Sequence, residues 1–97
     1  MNTEKLILLS SLSYHYNLEM EFFINLSEMN RIDIITINKS QYVDEATLYK
    51  IEKMIRLHQE LNINTEGIDI VFNLLEKINN LQNELILVKN RLRLYED

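Results

Sequence analysis

The sequence predicts a mainly α-helical protein: a winged helix-turn-helix head with a small β-hairpin wing, followed by one long C-terminal helix with a coiled-coil seam. Three observations predict it. Two short amphipathic segments joined by a tight turn precede a β-branched hairpin. The run from Arg56 to Leu81 ends one helix and launches another across a three-residue break. Beyond that break, apolar residues recur in steps of three and four almost to the last residue. The boundaries drawn are 1–65 for the head and 66–97 for a dimerisation helix.

Leu6 to Leu9 is a short apolar run that reads as a strand packing on the head. Ser10 or Ser11 is placed to cap a short helix ending near Tyr16, and Asn17-Leu18 makes a turn. Glu19 to Met29 forms a second helix. Its Phe22, Phe23, Leu26 and Met29 share one face, and Glu19 and Glu21 suit its positive N-terminal end. Ile32, Ile34 and Ile37, a turn at Asn38-Lys39-Ser40, and Tyr42-Val43 read as the hairpin. Asp44 is expected to cap the third helix, whose inner side carries Leu48, Ile51, Met54, Ile55 and Leu61.

Asn62-Ile63-Asn64 breaks the helical period, and Asn64 or Thr65 can cap the next helix. Gly67 then falls in a first helical turn, where it suggests close approach of another backbone or of a partner surface. From about Glu66 to Tyr95 the chain reads as a single helix. Val71, Leu74, Ile78, Leu81, Leu85, Val88, Leu92 and Tyr95 form its coiled-coil seam. Phe72 and Leu75 widen the apolar face near the start, where the head can cover them. Ile78, Leu81, Leu85, Val88 and Leu92 lie beyond the head's reach and are the expected dimerisation residues of a homodimer. With no Pro or Gly after Gly67, nothing offers a kink that would fold the helix back.

Composition excludes several classes. Hydrophobic residues make up 46% of 97, with one Gly and no Pro, which describes a helical protein with a small core. No apolar run approaches the roughly 20 residues of a membrane span, and the N-terminus does not read as a secretory signal. Cysteine is absent, so neither a disulfide nor a thiolate metal site can form. A cytoplasmic protein is the expectation. Catalysis has no foothold. His15 and His58 sit far apart on different elements, and no Gly-rich loop could cradle a phosphate. Tyr14 and Tyr16, flanking His15, read as tiling a helix–sheet junction, and His58 as half-buried on the third helix. No enzyme, metal or cofactor is expected.

The stretch Arg56-Leu57-His58, Glu60-Leu61, Ile63-Asn64, Gly67-Ile68, Leu74-Leu75, Ile78 and Leu81 resembles the signature of the chaperone-modulator CbpM family. These are small MerR-like helix-turn-helix proteins, and the likeness covers about the C-terminal half. The resemblance implies binding to the J-domain of a DnaJ-like or CbpA-like co-chaperone, so that the J-domain cannot engage an Hsp70. The alternative is a MerR-like DNA-binding regulator of transcription.

Charge ranks the two. In a helix-turn-helix the second helix enters the major groove, and contacts to phosphate supply most of the attraction. Here that helix offers Glu19, Glu21 and Glu28, and no Lys or Arg occurs from Leu6 to Asn30. Net charge is −5. Those carboxylates argue against nucleic acid and suit a basic protein surface, such as the basic helix of a J-domain. Glu19, Glu21 and Glu28 are therefore the expected partner-binding residues.

Overall fold

The computed structural model describes residues 5–96. Elements run β1 (Leu6–Leu8), α1 (Leu9–Tyr16), α2 (Met20–Glu28), β2 (Ile35–Ile37), β3 (Ser40–Asp44), α3 (Leu48–Leu61) and α4 (Thr65–Tyr95). A 3₁₀ turn, Glu45–Thr47, joins β3 to α3. The mainly helical class, the small wing and the long last helix are as the sequence predicts.

The wing is wider than a hairpin. β3 lies at the centre of a three-stranded antiparallel sheet, with β2 on one side and β1 on the other. Ile7 pairs with Val43 and Leu8 with Tyr42, so β1 closes the sheet. The turn is tighter than expected. Asn38 and Lys39 both take positive φ, 50° and 67°, the two-residue turn whose twist matches paired strands. Ser40 therefore opens β3 and pairs with Ile37. Ile32 and Ile34 lie outside the strands. Ile32 is buried in the core, and Ile34 packs at its edge.

Two caps and one core position differ from expectation. Neither Ser10 nor Ser11 caps α1, because the helix starts directly off β1 and Leu8 occupies the cap position without a side-chain bond. Asp44 does accept from a backbone N–H, that of Ala46 at 2.9 Å, but it caps the 3₁₀ turn and α3 begins later. Leu61 is 64% exposed. Asn62 adopts left-handed φ and ends α3 there, so Leu57 is the last residue of that face to reach the core.

One core joins every layer. Leu9 from α1, Phe23 and Leu26 from α2, Val43 from β3, Ile51, Met54 and Ile55 from α3, and Ile68 from α4 are all buried to within 2%. Burial of such side chains stabilises by roughly 1.5–3 kcal/mol each relative to exposure. A short chain therefore holds α1 and α2 at a fixed angle with few residues.

The junction between α3 and α4 is satisfied locally. Ile63 N–H donates to Leu57 O at 3.2 Å, closing α3. Asn64 caps α4, its Oδ1 accepting from Gly67 N at 2.8 Å. Ile63 and Ile68 occupy the two positions of a hydrophobic staple across that cap. Gly67 has a different cause from the one expected. A Cβ built there would stand 2.6 Å from Ile63 Cγ2 and 3.2 Å from Asn64 Oδ1. The close neighbour is the staple's own methyl, neither another backbone nor a partner.

The head also grips α4 by charge. Asn30, at φ 60°, turns the chain out of α2 and presents Arg31. Its Nε donates to Asp69 at 2.6 Å, one terminal nitrogen to Asn73 at 2.6 Å, and the other to Glu76 at 2.7 Å. Residues 69, 73 and 76 fall on one stripe of the helix. The bond to Asp69 holds the Arg31 guanidinium above its ordinary pKa, so it stays charged throughout. A second tie links α1 to α3. Tyr16 donates its hydroxyl to Glu52 at 2.5 Å, and Gln59 donates to Tyr16 O at 2.6 Å.

Gly67→Ala is expected to destabilise by about 1–3 kcal/mol, the usual cost of forcing a methyl into a packed site. A helix-propensity argument alone gives a gain of about 1 kcal/mol; urea denaturation reads the sign. Arg31→Met is expected to cost about 1–2 kcal/mol, near the low end for charged hydrogen bonds because Glu76 is exposed. It should also speed amide exchange over the first turns of α4. The Glu52 hydrogen bond raises the Tyr16 pKa above the ordinary 10.0. Its contribution to stability is therefore intact below the unfolded value and lost as pH rises through the folded one. Ultraviolet titration of the five tyrosines should show a late component that Tyr16→Phe removes.

Candidate functional site

The sequence placed function on α2, and the fold leaves that helix open on one side. Phe22, Phe23 and Leu26 turn inward, while Glu19, Glu21 and Glu28 are all exposed. Glu19 stands at the N-cap position of α2 without making a capping bond, and Glu21 lies in the first turn. Glu28 is the last residue of the helix. Glu28 comes two turns after Glu21, so they share a face about 10 Å apart along the axis. Asn25 lies between them.

The two ends of this stripe differ electrostatically. Glu21 sits where the helix dipole favours an anion. Glu28 sits where it does not, at a cost of typically about 0.3–1 kcal/mol, and no basic residue occupies that last turn. Helix stability explains Glu21 but not Glu28.

A shallow groove of about 350 Å³ opens beside the N-terminal half of the stripe. Its lining includes Glu19 and Glu21, the apolar Leu18 and Phe22, and His58 and Asn64. His58 is half-buried, as its spacing on α3 predicts. Its ring lies 4.8 Å from that of Phe22, and its Nδ1 is 2.8 Å from Ile63 O. A carbonyl only accepts, so in the neutral ring Nδ1 carries the proton and Nε2 is left as an acceptor. The groove thus joins α2 to the α3–α4 junction. Glu28 lies outside it, farther along the same helix.

Cations are scarce on this side. Arg31, the first basic residue after α2, is committed to Asp69 and Glu76. Lys39 is exposed at the tip of the wing. No positive strip runs across α2 and the wing among the described residues, because none of the residues from Leu6 to Asn30 is Lys or Arg.

Other candidates resolve differently. Tyr14 is 91% exposed and does not tile a helix–sheet junction. Tyr16 turns instead onto α3 through Glu52. His15 is exposed and stacks edge-on against Tyr16 at 4.8 Å. Among the described residues no group of three or more His, Asp or Glu side chains could hold a metal ion. Among the same residues, no helix is long and apolar enough to cross a membrane.

The seam of α4 stands in solvent. Ile78, Leu81, Leu85, Val88 and Leu92 are each between 50% and 63% exposed. Leu75, expected under the head, is still 42% exposed, whereas Phe72 does pack on the core. The Arg31 clamp is absent from the sequence expectations. Asp69, Asn73 and Glu76 spell a polar stripe in the sequence, but nothing local says which cation will meet it.

The architecture is thus two short helices set at a tight turn, a three-stranded wing and a long extended helix. Neither a curated protein nor a solved structure matches the chain. The family described as MerR HTH family regulatory protein matches residues 7–90, from the first strand to well along α4. That span takes in both helices, the wing and most of the seam, so the chain belongs to the MerR HTH family of regulatory proteins.

Proposed function

We propose that this chain is a non-enzymatic chaperone modulator: as a homodimer in the cytoplasm, it binds the J-domain of a DnaJ-like or CbpA-like co-chaperone and blocks its engagement of Hsp70. The observation that carries the reading is the acidic, cation-free face of α2, set where a helix-turn-helix presents its reading surface. A J-domain offers a basic helix, and complementary potential steers such a surface onto Glu19, Glu21 and Glu28. The groove beside Glu19 and Glu21 adds apolar surface at Phe22 for the aliphatic stems of partner side chains. Glu28, placed against its own helix dipole, is the kind of residue a binding role accounts for. Regulation is by competition, with no cofactor and no covalent step.

A second reading, a MerR-like DNA-binding regulator, is favoured by the family match over residues 7–90. It has to work against the repulsion of three carboxylates by phosphate, since binding to DNA rests on cations that neutralise it.

Titration with a purified J-domain at low salt should give saturable binding. Glu19→Lys, Glu21→Lys and Glu28→Lys together should weaken it at least about tenfold and flatten its salt dependence. No binding at micromolar concentration sinks the chaperone reading. Saturable, sequence-dependent shifts of duplex DNA at physiological salt would put the regulator in its place.

A further inference from the structure

We infer that the groove where α2 meets the α3–α4 junction is a seat for one arginine side chain of a partner protein. This rests on the reading of α2 as a partner-binding face and names the group that face takes up. It does not depend on which protein brings the arginine.

Glu19 and Glu21 alone do not make a site, since exposed carboxylates at the start of a helix also suit its dipole. Their neighbours in the groove do. Thr65 lines it and is only 8% exposed. Among the described residues the Thr65 hydroxyl has no hydrogen-bond partner, yet no fully buried side-chain nitrogen or oxygen lacks one. That hydroxyl is therefore reachable from the groove. His58 adds a second acceptor. Its Nδ1 lies 2.8 Å from Ile63 O, and the proton it donates there leaves Nε2 with a lone pair. Water serves these acceptors while the groove is open. A partner that covers them must bring donors of its own, or leave them unpaired at a cost.

The ligand is a cation. The lining holds two carboxylates and neither Lys nor Arg. The N-terminal ends of α2 and α4 both border the groove, each equivalent to about half a positive charge. Two full negative charges outweigh them, and the Asn64 side chain is already engaged with Gly67 N.

The cation is a guanidinium. Lysine puts all its donors on one nitrogen, whereas arginine spreads them over a planar fork. The acceptors here are likewise spread, over α2, α3 and the start of α4. A guanidinium also packs flat on aromatic rings, and Phe22 and His58 line the groove with centroids 4.8 Å apart. Leu18 offers apolar surface to the methylene stem. Glu28, outside the groove, attracts either cation without choosing between them.

Blocked arginine and blocked lysine, as N-acetyl methylamides, can be titrated into the full-length chain at low salt and followed by NMR. Arginine should bind saturably, with the largest amide shifts at Phe22, His58 and Thr65, and at least about threefold more tightly than lysine. Of the two histidines, His58 should show its unprotonated Nε2 resonance move as a donor engages it. Thr65→Val should cut arginine affinity about threefold and lysine affinity less. Glu21→Gln is the second variant, should that one fold poorly, and should also narrow the preference for arginine. Equal binding of the two cations, shifts centred away from the groove, or an unmoved His58 Nε2 would each overturn the seat. A chain that binds blocked arginine but no J-domain keeps the seat and loses only the partner proposed above. One that binds a J-domain while ignoring arginine keeps that partner and loses the seat.

Discussion

A head this small can hold a helix of 31 residues only along its first turns. It does so with two different forces on neighbouring sides of the helix. Ile68 and Phe72 enter the core, and Arg31 reaches Asp69, Asn73 and Glu76. The apolar contact supplies stability without direction. The guanidinium, with donors in a rigid fork, supplies direction. It engages a stripe lying roughly 160° around the helix from the Leu74–Ile78 seam, given about 3.6 residues per turn. Grip and seam therefore do not compete. The seam is turned away from the head that carries it, and α4 extends the molecule to 61 Å.

The same arginine shapes the electrostatics of the head. A helix-turn-helix that lies on DNA needs cations around its second helix. This chain has none from Leu6 to Asn30, and the first one after it is drawn into the clamp. Left on α2 are Glu19, Glu21 and Glu28, the first two beside a groove also lined by Leu18 and Phe22. A helix-turn-helix can thus keep its shape with an acidic second helix, because backbone geometry and exposed charge are set by different residues.

Much of this was legible in the chain itself. The apolar periods of α2 and α3 are core faces, and the break at residues 62–64 with Asn64 as cap is where the helices part. Misses cluster where a local signal was answered by a contact the pattern does not encode. Ser10 and Ser11 look like caps, but pairing of β1 with β3 starts the helix before them. Leu61 keeps the apolar spacing, yet Asn62 ends the helix one turn past the last core contact. Gly67 looks like a contact with a partner, and its neighbour is the methyl of Ile63 four residues back.

The sequence by itself determined the fold class, the helix boundaries to within a few residues, the acidic character of α2 and the length of the seam. All of these come from local period and charge, which need no knowledge of what lies across the core. Only the tertiary structure decided which side of α4 the head takes, what Arg31 binds, and that Glu19 and Glu21 share a groove with His58 and Asn64. Those depend on residues some forty positions apart being brought together, and helical spacing carries no record of that meeting.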